Sequence, residues 1–119
     1  MLSFRGKAVG TAMNLHHLAE ERSLAYHALI ADKIERDPAL LDVARRRVAE
    51  WLASGTPHAH YARAWSAILE SPVEIIRQHL LDPTPAGRAL RQVTPFAGMI
   101  APNTRWKLWR EVRERFSGD

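Results

Sequence analysis

The chain has no cysteine in its 119 residues. That absence excludes disulfide bridges, thiolate nucleophiles and cysteine-ligated zinc, and it favours a reducing compartment, so a cytoplasmic protein is expected. No run of about 18 or more apolar residues occurs, so no membrane-spanning helix and no membrane partner are expected. The opening Met1-Leu2-Ser3-Phe4-Arg5-Gly6-Lys7 is not followed by the apolar stretch of a secretory signal. Glycine-rich phosphate loops and the Gly-x-Ser-x-Gly nucleophile turn are missing as well, and the few serines mostly sit at helix-start positions. No segment sustains the apolar-polar alternation of a half-buried strand.

What is present is an ordinary globular complement. Hydrophobic residues make up 46% and charged residues 25%, far from the composition of a disordered chain. One domain is expected at this length, burying roughly two-thirds of its unfolded surface. Two glycines and little apolar pattern mark residues 1–12 as a flexible leader, leaving residues 13–119 as a single helical domain. The formal charge of +4 is unevenly spread: residues 20–74 hold seven basic and nine acidic groups, residues 77–115 eight basic and three acidic. Such a cationic half suits an acidic protein or a phosphate backbone, and equally a solvated arginine-rich surface.

From Asn14 to Arg36, Leu15, Leu18, Ala19, Ala25, Tyr26, Leu29, Ile30 and Ile34 share one face at 100° per residue, which predicts an amphipathic helix. Asp37-Pro38 reads as an N-cap followed by the first helical position. Leu40, Leu41, Ala44, Val48, Trp51 and Leu52 then gather on one arc until Ser54-Gly55 stops the helix. Thr56-Pro57 repeats the start signal ahead of Tyr61, Ala64, Trp65 and Ile68. Ser71-Pro72-Val73-Glu74 has the form of a capping box before Ile75, Ile76, Leu80 and Leu81. Thr84-Pro85 opens a further segment through Arg91, with Gly87 as its weak point. Residues 93–102 form a connection whose Phe96, Met99 and Ile100 need cover. A last helix, from Asn103 or Thr104, sets Leu108, Trp109, Val112 and Phe116 on one arc with Trp106, Arg110 and Arg113 along its edge. The expected fold is all-α, a compact bundle of five or six short-to-medium helices.

Candidate chemistry is sparse. His16, His17, Glu20 and Glu21 offer ligand pairs at i and i+4, yet no third ligand completes a site and the group lies on the polar side of its helix, so no metal and no cofactor are expected. His58-x-His60 reads as a turn feature. Glu20 and Glu21 diverge by 100° and cannot act as a facing acid-base pair. No catalytic residue emerges, and a non-enzyme is expected. Arg45-Arg46-Arg47 either grips phosphate or pairs with Asp42 and Glu50 on its own helix. Arg22 falls in the middle of the first helix's apolar arc, where it either snorkels or meets a partner's carboxylate.

The candidate partner-binding surface is C-terminal: Arg91, Phe96, Met99, Ile100, Trp106, Trp109, Arg110 and Arg113. Arginine and tryptophan are enriched at interface hot spots. The competing reading makes Trp109 and Phe96 core residues. Three stretches, Asn14-Leu15-His16-His17-Leu18-Ala19-Glu20, Ala89-Leu90-Arg91-Gln92-Val93-Thr94-Pro95-Phe96-Ala97-Gly98, and Arg105-Trp106 with Trp109-Arg110-Glu111-Val112, support a resemblance over residues 14–112. The chain resembles small bacterial proteins encoded beside toxin-type nucleotidyltransferases, as their antitoxin partners. That resemblance implies neutralisation of a toxic enzyme by protein-protein contact. The alternative is a helical nucleic-acid-binding regulator, against which stand a net charge of only +2 over residues 13–119 and the lack of a helix-turn-helix signature.

Overall fold

The structure, a computed structural model, describes the backbone of residues 2–117 and the side chains of residues 15–115. The leader expected over residues 1–12, and the side chain of Phe116, lie outside the residues described in full. Among the described residues six helices follow one another: α1 (Leu2–Arg36), α2 (Ala39–Ser54), α3 (Ala59–Leu69), α4 (Val73–Leu80), α5 (Pro85–Gln92) and α6 (Pro102–Ser117). Among the described residues there is no strand, and the fold is an all-α bundle.

The helix ends show which local signals operate. Gly55 takes the left-handed conformation at φ 75°, and its N–H closes onto the Trp51 carbonyl, ending α2. Thr84 caps α5 by accepting the Gly87 N–H, with Pro85 at the first helical position, where its missing donor costs nothing. Three other expected caps do not form, one of them at Thr56, since α3 starts later with His58 at its N-cap and the Thr56 hydroxyl accepts the His58 N–H. Pro38 itself adopts helical dihedrals at the start of α2 and no side chain caps that end, so Asp37 contributes its carbonyl, to the Leu40 N–H, instead of its carboxylate. Pro72, in extended geometry, stands at the N-cap of α4 in place of Ser71, so the Ser71–Glu74 capping box is displaced by one residue and does not close. Proline has no N–H for the reciprocal half of such a box.

The core is built where the helical faces meet. Ile30, Ala31 and Ile34 of α1, Leu41, Ala44 and Val48 of α2, Trp65, Ile68 and Leu69 of α3, and Ile76 and Leu80 of α4 form one buried cluster. Only the centre of each predicted arc is used. Ile76 and Leu80, at i and i+4, are buried, whereas Ile75 and Leu81, each one residue and 100° away, stay exposed. Leu15, also on the predicted arc of α1, is 63% exposed.

The connection over residues 93–101 finds its cover inside the bundle. Phe96 is fully buried and meets Trp65 edge to face, the ring centroids 5.9 Å apart. The Tyr26 hydroxyl donates to the Phe96 carbonyl at 2.6 Å and accepts the Met99 N–H at 3.2 Å. Arg47 donates from α2 to the carbonyls of Pro95 and Ala97, at 3.0 and 2.6 Å. Trp65 Nε1 donates to the Leu90 carbonyl at 3.1 Å, tying α3 to α5. The three successive carbonyls of Pro95, Phe96 and Ala97 are thereby satisfied by side-chain donors. Among the described residues no helix is long and apolar enough to cross a membrane.

Candidate functional site

Helix α6 packs chiefly on α1, and this pairing creates two different surfaces. Val112 is buried, and Leu108 and Trp109 are half-buried against the core. The flank of α6 beside this arc is left to solvent. At 100° per residue Trp106, Arg110 and Arg113 line up as one stripe, all three are exposed, and Trp106 reaches 67% exposure, the greatest of any large hydrophobic side chain among the described residues. An indole held in water on a helix otherwise able to bury it makes no contribution to the monomer's core.

The second surface is a cleft of about 400 Å³ where α1 faces α6 and the turn after α5. Arg22 and Ser23 of α1, Arg91 of α5, and Arg105 and Trp109 of α6 line it, with Tyr26 and His27 along the α1 wall. A smaller cleft of about 210 Å³ adjoins it through Ala19, Ser23 and Arg91 and adds His16, Glu20, Arg88 and Gln92. Among the described residues no carboxylate lines the larger cleft; Glu20, in the smaller one, pairs with His16 at 3.1 Å and with Arg88 at 3.6 Å.

The polar groups of the α1 wall are already engaged. His27 Nδ1 lies 2.7 Å from the Ser23 carbonyl, which can only accept, so Nδ1 is protonated. Burial lowers the His27 pKa from 6.5 to about 4, so the ring is neutral at pH 7 and Nε2 accepts from the Thr94 hydroxyl at 2.9 Å. The Thr94 oxygen in turn accepts the Phe96 N–H at 3.1 Å. The guanidinium groups are less completely matched. Arg91, only 4% exposed, donates from Nη1 to the carbonyls of Leu80 and Asp82, but its Nε has no partner among the described residues. Desolvation lowers the Arg91 pKa, against the stabilising field of Asp82. Arg22 lies over the Trp109 ring at 5.9 Å, and its buried Nε is likewise unpartnered.

The sequence-derived surface is therefore divided. Trp106, Arg110 and Arg113 share the exposed stripe, and Met99 is half-buried. Phe96, Ile100 and Arg91 are corrected from surface to interior: the two apolar side chains complete the core, and the arginine is drawn inward to bond carbonyls at the end of α4. Trp109 turns to the cleft instead of the outer stripe. The cleft as a unit was not anticipated. Its signals in the sequence were Arg22 in the middle of an apolar arc and the candidate residues Arg91 and Trp109, assigned there to a different surface; Arg105 was not singled out for its chemistry.

The other basic and histidine motifs resolve as structural parts. Arg45 donates to the Leu69 carbonyl from Nε and Nη2 and meets Asp42 at 3.1 Å, so it closes the end of α3. Arg77 joins α4 to Glu35 and Asp32 of α1, at 2.9 and 3.6 Å. His58 is the N-cap residue of α3, and His60 packs its ring edge on Tyr61 at 5.2 Å. Among the described residues no three His, Asp or Glu side chains cluster as a metal site would require. No protein-family model, curated protein or solved structure matches the chain.

Proposed function

We propose that this protein is an antitoxin-type binding subunit, which docks the outer face of α6 on an acidic surface of a partner enzyme and blocks substrate access. A cytoplasmic toxin of the nucleotidyltransferase kind is the partner that the sequence resemblance implies. The supporting observation is the stripe of Trp106, Arg110 and Arg113, an exposed indole flanked by guanidinium groups on a helix anchored from its other side. Such a stripe combines a large apolar anchor with charges that steer a negatively charged surface into register. The helix needs no rearrangement to present it, so little conformational entropy is lost on docking.

The test is co-expression with the enzyme encoded by the adjacent gene, followed by size-exclusion chromatography and a growth-rescue assay. A co-eluting complex and restored growth, both weakened by Trp106→Ala, are the expected results. Absence of a complex together with absence of rescue refutes the proposal. A salt-sensitive shift of duplex DNA without any protein complex would transfer the stripe to the nucleic-acid reading.

A further inference from the structure

We infer that the cleft between α1, α5 and α6 is a binding site for a small organic phosphate that bears a planar ring, with Arg22, Arg91 and Arg105 holding the phosphoryl group. Three guanidinium groups line this one cavity, and none of them has a carboxylate within ion-pairing distance among the described residues. Other arginines of the chain, Arg45, Arg77 and Arg88, do find such partners. Arg91 is buried with its Nε unsatisfied and only the more distant charges of Asp82 and Glu20 to offset its own, and beside it Arg22, half-buried, also has an unpartnered Nε. An anion entering the cleft supplies the ion pair that none of these three guanidinium groups makes within the fold.

The number and kind of donors point to phosphate. A single carboxylate matches one guanidinium fork, whereas a phosphoryl group presents three acceptor oxygens and up to two negative charges, enough to meet several forks together. The rest of the cavity offers little further polar recognition. The Tyr26 hydroxyl, both His27 nitrogens and the Thr94 hydroxyl are all committed to partners within the protein, and with Tyr26 and His27 buried it is the half-buried Trp109 that offers ring surface to the cleft. The cleft is an open groove of about 400 Å³, more than inorganic phosphate fills, so a larger molecule would lie along it partly exposed to solvent. The Trp109 ring favours a flat body against it.

This site uses the inner side of α6, and the proposed partner surface uses the outer side, so the two readings stand or fall separately. Isothermal titration of the full chain with AMP, adenosine and inorganic phosphate tests the inference. Saturable AMP binding, at least tenfold tighter than that of either adenosine or phosphate, is expected. Arg105→Ala, at an exposed position, should weaken AMP at least tenfold without lowering the melting temperature, and Arg22→Gln should act in the same direction. Arg110→Ala on the outer stripe should leave AMP binding unchanged. No saturation by AMP at low millimolar concentration, equal affinity for adenosine, equal affinity for inorganic phosphate, or an unaffected Arg105→Ala protein would each overturn the inference.

Discussion

At the scale of single residues, the two polar side chains buried in α1 do more than fill space. Tyr26 both donates to and accepts from the backbone of the 93–101 turn, so Tyr26→Phe leaves a buried carbonyl and a buried N–H without that partner. A loss of about 1–2 kcal/mol is expected in urea unfolding, with little change in the slope of the transition. His27 ties stability to pH. Its folded pKa, about 4, lies below the unfolded value of 6.5, so the unfolded chain binds the extra proton in between. The contribution is complete above pH 6.5 and is lost as the pH falls toward 4, by at most about 3 kcal/mol. Denaturation curves at pH 7 and pH 4.5 should therefore differ more for the native chain than for a His27→Gln variant; equal differences would show that His27 is not the titrating group.

At the scale of elements, the short helices are positioned by side chains reaching between them. Gly87 is an example of a close approach read from sequence alone as a weakness. A Cβ there would collide with the carbonyl oxygen and side chain of Asp82, so the first turn of α5 can press on the preceding turn only without one. Gly87→Ala would gain about 1 kcal/mol of helix propensity, yet it must displace backbone, and net destabilisation of about 1–3 kcal/mol is expected from thermal melts. Arg47 holds the 93–101 turn through two carbonyls, so Arg47→Ala should raise amide exchange there while the exchange of the α2–α3 pair changes little. Helix positions were legible from period and punctuation because those signals are local. Cap identity was less so: at Asp37-Pro38 and Ser71-Pro72 the prolines took over the helix starts, and a side chain's chance to cap depends on the angle at which the chain enters.

At the scale of the whole molecule, charge is arranged differently inside and outside the α1–α6 pairing. The outer stripe is solvated, so Arg110→Glu combined with Arg113→Glu should alter stability by no more than about 0.5 kcal/mol. The same pair should slow association with an acidic partner, most strongly at low ionic strength, which stopped-flow measurement can follow through the Trp106 emission. An unchanged association rate would separate these arginines from recognition. The eight-residue C-terminal set was only partly legible as a surface. Trp106, Arg110 and Arg113 could be grouped from their spacing, because a helix places i, i+4 and i+7 on one side whatever surrounds it. Phe96 and Ile100 lie outside any helix, so no period showed which way they face, and their inward packing followed from the partners that Tyr26, Arg47 and Trp65 provide.

Composition and periodicity by themselves determined that this chain is helical, roughly where its helices begin and end, and which side of each is apolar, since these depend on neighbours within a few residues. Only the tertiary structure decided which arginines meet carbonyls, which meet carboxylates and which are left unmatched beside the cleft. Those outcomes turn on contacts between segments far apart in the chain, such as Tyr26 with Phe96 and Arg22 with Trp109. Distances of that kind are set by how six helices pack against one another, and no local pattern encodes them.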